Sequence, residues 1–157
     1  MAVSTASTKN SLSDFKEVAL AFARAPRGGL ILMDAECVLC NRFAQFVIKQ
    51  DKAGLFRFAP NRSELSDHVL DTLGVKRPLP ESIVLIRGGK AYLFSDVTPY
   101  TFGDLGFPLN LAKAALLVPK PLRDFVYNLI AKNRYRLYGR TESCGLMSRE
   151  DRTRVLM

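Results

Sequence analysis

The chain has 157 residues, of which 48% are hydrophobic, and its formal net charge is +8. This length suits one domain with its own core, and the longest apolar zone near the C-terminus, residues 105–118, is too short and too interrupted to span a membrane. Three cysteines do not fit a secreted disulfide framework. We therefore expect a reducing compartment, the cytoplasm, with an organelle matrix as the alternative.

The first 27 residues are predicted to precede the main domain. Residues 1–12 are rich in Ser and Thr and lack apolar periodicity, which predicts a disordered leader, and they lack the apolar region of a secretory signal. Residues 13–24 place apolar side chains at helical spacing, which predicts a short helix outside the core fold. A linker follows to residue 27, and residues 28–157 are predicted to form the domain.

A short apolar run comes next and leads into the first cysteine. Leu30 to Met33 follows two glycines and stops at Asp34, which is typical of a strand buried on both faces. Apolar residues then recur every three or four positions from residue 38 to residue 50, which predicts a helix. Cys37 and Cys40 therefore lie in its first turn, where unpaired N–H groups and the helix dipole favour negative charge.

The two cysteines are predicted to carry redox chemistry. A helix N-terminus in a Cys-x-x-Cys motif lowers a cysteine pKa from about 8.5 to roughly 3.5–7.5, and the thiolate is the reactive form. We predict that Cys37 attacks a substrate disulfide and that Cys40, one turn along, resolves the adduct. Asp34 is either a general base for Cys40 or a turn residue. Inert buried thiols and half of a zinc site are the alternative interpretations.

The following segments complete a β-α-β-α-β-β order. Residues 55–59 predict a strand, residues 61–73 a helix, and two β-rich runs around Gly88-Gly89 a hairpin, because a tight primed turn needs positive φ at both central positions. The strand-helix-strand unit is expected to be parallel. Ser95 and Asp96 are predicted to cap a further helix, which gives a mixed four-stranded α/β sheet flanked by helices, the thioredoxin-like layout.

Residues 107–131 predict a C-terminal helical extension interrupted by prolines. Its apolar residues are spaced to bury one face: Leu122, Phe125, Val126, Leu129 and Ile130. Between Lys120 and Arg140 six basic residues stand against Asp124 alone, with tyrosines interleaved. This pattern indicates either a solvated face with a docked tail or a surface for nucleic acid or acidic membrane. No RNA-binding signature accompanies it, so no nucleic-acid partner is expected.

Several separated motifs together resemble the DCC-type thiol-disulfide oxidoreductase-like family, whose name reflects an Asp, Cys, Cys pattern. They run in order through residues 30–144: Asp34-Ala35-Glu36-Cys37-Val38-Leu39-Cys40, Asp51, Phe56-Arg57-Phe58-Ala59, Ser95-Asp96, Pro119-Lys120-Pro121-Leu122-Arg123, and Asn133-Arg134-Tyr135-Arg136-Leu137-Tyr138-Gly139-Arg140 followed by Cys144. The resemblance implies a thioredoxin-like fold and a protein-disulfide reductase type of activity. A Tyr-Asp-Gly start is common in that family, where this chain has Met33-Asp34-Ala35.

The resemblance also implies accessory residues. Thioredoxin-like folds usually place a cis-proline opposite the motif, and Pro80 is the candidate. Ser95, Asp96 and Arg140 match family motifs and are expected near the substrate. The resemblance places a cysteine after Gly139-Arg140, so Cys144 is either a second redox partner, a regulatory thiol or a buried apolar residue.

The favoured hypothesis is a thiol-disulfide oxidoreductase that needs no organic cofactor. Its expected partners are a protein or small-molecule disulfide and an external thiol reductant. The competing hypotheses are a basic adaptor for nucleic acid or a membrane surface, and a structural zinc module in which Cys37, Cys40, His68 and Cys144 surround the metal. His68 is otherwise an ordinary residue on a helix face.

Overall fold

An apolar strand lies in the interior of the sheet. The computed structural model describes residues 7–34, 37–76, 83–138 and 154–156, and strand β1, Gly29–Met33, is buried along its whole length. β1 is parallel to β2, Phe56–Pro60, and antiparallel to β3, Val84–Arg87, which pairs with β4, Lys90–Tyr92. The order β2-β1-β3-β4 confirms the predicted mixed four-stranded sheet.

Helices cover both faces of this sheet. In chain order they are α1 (Ser7–Arg24), α2 (Val38–Gln50), α3 (Glu64–Leu73), α4 (Val97–Gly103) and α5 (Lys120–Tyr138), with 3-10 helices at Phe94–Asp96 and Leu109–Leu117 on either side of α4. The α2 bounds confirm the predicted helix, and the arrangement as a whole confirms the predicted α/β class with a helical C-terminal extension.

The strict alternation of side chains in β1 divides the core into two clusters. Ile31 and Met33 face α2 and join the cluster that contains both cysteines. Leu30 and Leu32 point to the opposite face and pack with residues of α1 and α3. Since successive strand residues face opposite sides of a sheet, β1 needs apolar residues at every position.

Helix α1 belongs to the core, so the prediction that it lies outside the core is wrong. Ala19 and Ala23 are fully buried against the sheet, because their small side chains let the helix approach closely. The N–H groups of Gly88 and Gly89 donate to the carbonyls of Ala25 and Ala23 at 3.0 and 2.9 Å, which ties the hairpin turn to the end of α1. The helix also begins at Ser7, so the prediction of a disordered leader is wrong for residues 7–12, whereas residues 1–6 lie outside the described part.

The β3–β4 turn has the predicted conformation. Gly88 and Gly89 have φ values of +57° and +74°, the left-handed region in which a side chain is costly. The turn is therefore of the primed type that suits a two-residue hairpin.

A segment far along the chain extends the sheet at β2. Phe58 donates its N–H to the carbonyl of Arg154 at 2.9 Å and accepts the N–H of Leu156 at 2.7 Å, in a parallel bridge. Arg154 Nη1 also donates to Asp51 Oδ2 at 2.8 Å, and Asp51 is buried. No sequence pattern predicted this fifth, bridge-length strand.

The apolar stripe of α5 is exposed, so the prediction that it is buried is wrong. Leu122, Phe125, Val126, Leu129 and Ile130 are 57, 67, 50, 56 and 48% exposed. The helix is held by its polar side, through ion pairs to the 3-10 helix Phe94–Asp96. Within the described ranges, no helix is long and apolar enough to cross a membrane.

Candidate active site

Cys37 occupies the residue that caps the N-terminus of α2. Its backbone is extended, with φ −84° and ψ 118°, and its Sγ accepts the N–H of Cys40 at 3.4 Å. The N–H of Cys37 donates to the carbonyl of Asp34 at 3.2 Å, which fixes the turn between β1 and α2. The sulfur therefore takes the place that a Ser or Asp oxygen holds in an ordinary cap.

This position gives the Cys37 sulfur two stabilising influences when it is a thiolate. A backbone N–H already points at it, and the helix dipole places partial positive charge at the same end of the helix. Burial acts in the opposite direction, because Cys37 is 0% and Cys40 is 2% exposed and an apolar environment disfavours a charged sulfur. Both cysteines are thiols in this structure.

An apolar cavity of about 200 Å³ reaches Cys40. Three helices and the start of β3 form its walls: Leu39, Cys40, Phe43, Ile83, Val97, Thr98, Tyr127, Ile130 and Ala131. Cys40 lies at one end, and its amide is hydrogen bonded to the Cys37 sulfur. The cavity thus ends one hydrogen bond away from the sulfur of Cys37.

Ser95 and Asp96 hold α5 in place. Asp96 makes no side-chain cap to α4, so the predicted capping role is wrong. Its carboxylate instead accepts from Arg123 Nη1 at 2.8 Å and from Lys120 Nζ at 3.0 Å. The Ser95 hydroxyl donates to Asp124. These contacts hold the face of α5 that, one to two turns farther along, carries Tyr127 and Ala131 and lines the cysteine cavity. Both residues therefore bear on the site indirectly.

The contacts that Ser95 and Lys120 make with Asp124 shift the pKa of its carboxyl. The hydrogen bond from Ser95, supported by Lys120, lowers the pKa of the Asp124 carboxyl below its usual value, against a smaller opposing effect of desolvation. Asp124 is therefore ionised at neutral pH and able to hold both partners.

The remaining predicted residues fall in three groups. Asp34 is half-buried and contacts Cys37 through its backbone carbonyl, and its role as a general base stays a prediction. Pro80, Arg140 and Cys144 lie outside the described residues. His68 lies on α3, which packs on the sheet face opposite the cysteines.

The predicted zinc set is therefore not assembled around His68. The sheet separates His68 from Cys37 and Cys40, and no group of three or more ligating side chains is found among the described residues. The described residues bring together the two cysteines and the backbone of Asp34.

Sequence reasoning missed the contribution of α4 and α5 to the site. Thr98, Tyr127 and Ile130 line the cavity beside Cys40, yet the sequence pattern assigns Tyr127 to the basic stretch and Ile130 to a buried stripe. Tyr127, Ile130 and Ala131 recur at helical spacing, which is the one signal that marks a shared face. That signal does not reveal which element the face meets.

Comparison with known proteins finds a matching family model and two relatives. A family model described as DCC1-like thiol-disulfide oxidoreductase matches residues 31–140, a range that contains both cysteines. YuxK, an uncharacterized protein of Bacillus subtilis strain 168, is 38% identical over 127 residues, which cover 81% of this chain and 93% of YuxK. A chloroplastic DCC family protein of Arabidopsis thaliana, At1g52590, is 32% identical over 140 residues, which cover 88% of this chain and 80% of that relative.

No solved structure matches the chain significantly. The family match nevertheless spans more than half of the sequence and includes the second part of β1 and all of α2, the hairpin and α5. The chain therefore belongs to the DCC1-like thiol-disulfide oxidoreductase family.

Proposed function

We propose that this protein is a thiol-disulfide oxidoreductase of the protein-disulfide reductase type, with Cys37 as nucleophile and Cys40 as resolving cysteine. The observation that carries the proposal is the hydrogen bond from the Cys40 N–H to Cys37 Sγ at a helix N-terminus. This contact stabilises negative charge on Cys37 in a way that Cys40, one turn inside the helix, does not share.

The proposed exchange has two steps. The Cys37 thiolate attacks one sulfur of a substrate R–S–S–R′, forms a Cys37–S–S–R mixed disulfide, and releases R′–S⁻, which takes a proton from solvent. Cys40 then gives up its proton, and its sulfur attacks Cys37 Sγ, which forms the Cys37–Cys40 disulfide and releases R–S⁻. Two electrons pass to the substrate, which leaves as two thiols.

The cycle needs a base and a reductant. Asp34, directly before the cysteine turn, is the proposed acceptor of the Cys40 proton, and an external dithiol returns two electrons and two protons to the pair. No organic cofactor takes part in these steps. We propose that the cycle runs in a reducing compartment, the cytoplasm or an organelle matrix, since such a compartment supplies the dithiol.

A trapping experiment tests the proposal. In a Cys144→Ser background, Cys40→Ser leaves the Cys37 adduct without a resolving thiol, so incubation with a cystine-containing peptide should accumulate one peptide per chain, released by dithiothreitol and detected by intact mass. Cys37→Ser is the matched control and should accumulate far less adduct. Equal trapping by both variants would contradict the assigned order of attack, and no trapping by either would contradict the proposed function.

A further inference from the structure

An apolar groove beside the cysteine pair indicates which disulfides the protein would accept. We propose that this groove binds an extended, cystine-bearing polypeptide segment that is apolar next to its cysteine and acidic farther out. The proposal rests on the proposed function and specifies its substrate class.

The groove is built from two adjoining cavities. The first, of about 200 Å³, begins at Cys40. The second, of about 400 Å³, lies between α5 and the 3-10 helix Leu109–Leu117. Thr98, Tyr127 and Ile130 line both, so one continuous surface leads from Cys40 along the helix.

The walls of the groove carry almost no charge. Arg123 is the one charged residue among the described residues that line the two cavities, and its guanidinium is already paired with Asp96 at 2.8 Å. A small charged disulfide such as glutathione disulfide would therefore lose hydration in this groove without finding a partner for its carboxylates.

The volumes match side chains of a polypeptide. A cavity of about 150 Å³ holds a benzene molecule, so the 200 Å³ beside Cys40 takes one large aliphatic or aromatic side chain. The second cavity takes further side chains of the same segment. Its walls include Leu122 and Val126, 57 and 50% exposed, and exposed apolar surface of this kind typically marks an interaction site.

Charge around the groove favours acidic flanks. Arg136 is exposed and lines a shallow third cavity together with Ile130 of the groove. The whole chain carries a formal charge of +8, which attracts an anionic partner and speeds its encounter. An apolar centre with acidic outer residues therefore complements both the floor and the surroundings of the groove.

The test compares mixed disulfides under single-turnover conditions with pre-reduced protein. Each probe is a cysteine peptide or glutathione coupled to 2-nitro-5-thiobenzoate, whose release reports the attack. The peptides carry either Leu-Cys-Phe or Ser-Cys-Ser at the centre, and either Glu or Lys at both ends. We expect the Leu-Cys-Phe peptide with Glu ends to react roughly tenfold faster than the Ser-centred peptide or glutathione, and faster than its Lys-ended version at low salt.

Ile130→Ser removes one wall of both cavities. It should lower the reaction rate of the Leu-Cys-Phe peptide roughly fivefold and change the rate of the glutathione probe little. Phe125→Ser is the control, because Phe125 is 67% exposed and lines neither cavity. Equal rates for all probes, or an equal loss of rate in both variants, would overturn the assignment of the groove as the substrate site. The proposed oxidoreductase function would still stand. If the wild type is a dimer and Ile130→Ser dissociates it, the groove binds a second copy of the chain and the assignment of a peptide substrate is wrong. Failure of the wild type to react with any probe would remove the proposed function itself.

Discussion

The buried carboxylate of Asp51 offers a stringent test of how the fold is held. It accepts the N–H groups of Leu55 and Phe56, both at 2.9 Å, and Nη1 of Arg154 at 2.8 Å. The side chain is 1% exposed, so the end of α2, the start of β2 and a segment about a hundred residues later meet at one group. Asp51→Ala removes all three bonds at once.

The expected loss of stability in Asp51→Ala follows from the two backbone N–H groups and the Arg154 guanidinium that the variant leaves without their acceptor. An unsatisfied buried N–H costs about 1–3 kcal/mol and loss of one member of a buried ion pair about 3–5 kcal/mol. Leu55 is partly exposed and Arg154 is 22% exposed, so water replaces part of the loss. We expect Asp51→Ala to lower the free energy of unfolding by about 3–5 kcal/mol, a large share of the roughly 5–15 kcal/mol of a typical domain.

The assay is urea unfolding at pH 7 with Arg154→Ala and the double variant completing a mutant cycle. Arg154→Ala removes the cation but leaves the carboxylate with its two N–H donors, and Arg154 is itself 22% exposed, so this variant should cost less than Asp51→Ala, about 1.5–3 kcal/mol. The slope with urea should stay unchanged. If Asp51→Ala costs less than about 1 kcal/mol, or no more than Arg154→Ala, the carboxylate does not organise this junction.

Two further predictions concern stability. Ser95→Ala removes the main cause of the lowered pKa of Asp124. A carboxyl whose pKa is lower in the folded than in the unfolded state stabilises the fold above the unfolded pKa of about 3.9, and this stabilisation is lost as pH falls through the folded pKa. The deficit of this variant should therefore be about 1 kcal/mol near neutrality and shrink below roughly pH 4, and a pH-independent deficit in urea unfolding would contradict this. Gly28→Ala places a Cβ at φ +69° only 2.1 Å from the Leu55 carbonyl oxygen, whereas Gly74→Ala at φ +67° meets nothing within 4 Å. Thermal unfolding should show a loss of about 3 kcal/mol or more for the first and about 1 kcal/mol for the second, and similar losses would argue against the close contact.

The sequence predicts those parts of the fold that depend on local patterns. β1 and α2 follow from an apolar run and a helical period, and the hairpin follows from two glycines that both adopt positive φ. The cysteine pair is found for the same reason, since its position depends only on where α2 begins.

Long-range contacts explain what the sequence does not predict. The stripe of α5 marks an apolar face correctly, but periodicity does not state what the face meets, and the ion pairs of Asp96 attach the opposite side of the helix. Tyr127 and Ile130 reach Cys40 across about ninety residues of chain. The contact between Asp51 and Arg154 spans 103 positions, and neither residue carries a local sign of its partner.

The bridge between Phe58 and Val155 also bears on how the chain folds during synthesis. A ribosome adds residues in order at about 5–20 per second, so β2 emerges long before the segment that covers its outer edge. Throughout that interval the N–H and C=O groups on that edge of β2 can pair with another nascent chain. Translation at high density should therefore favour aggregation of incomplete chains.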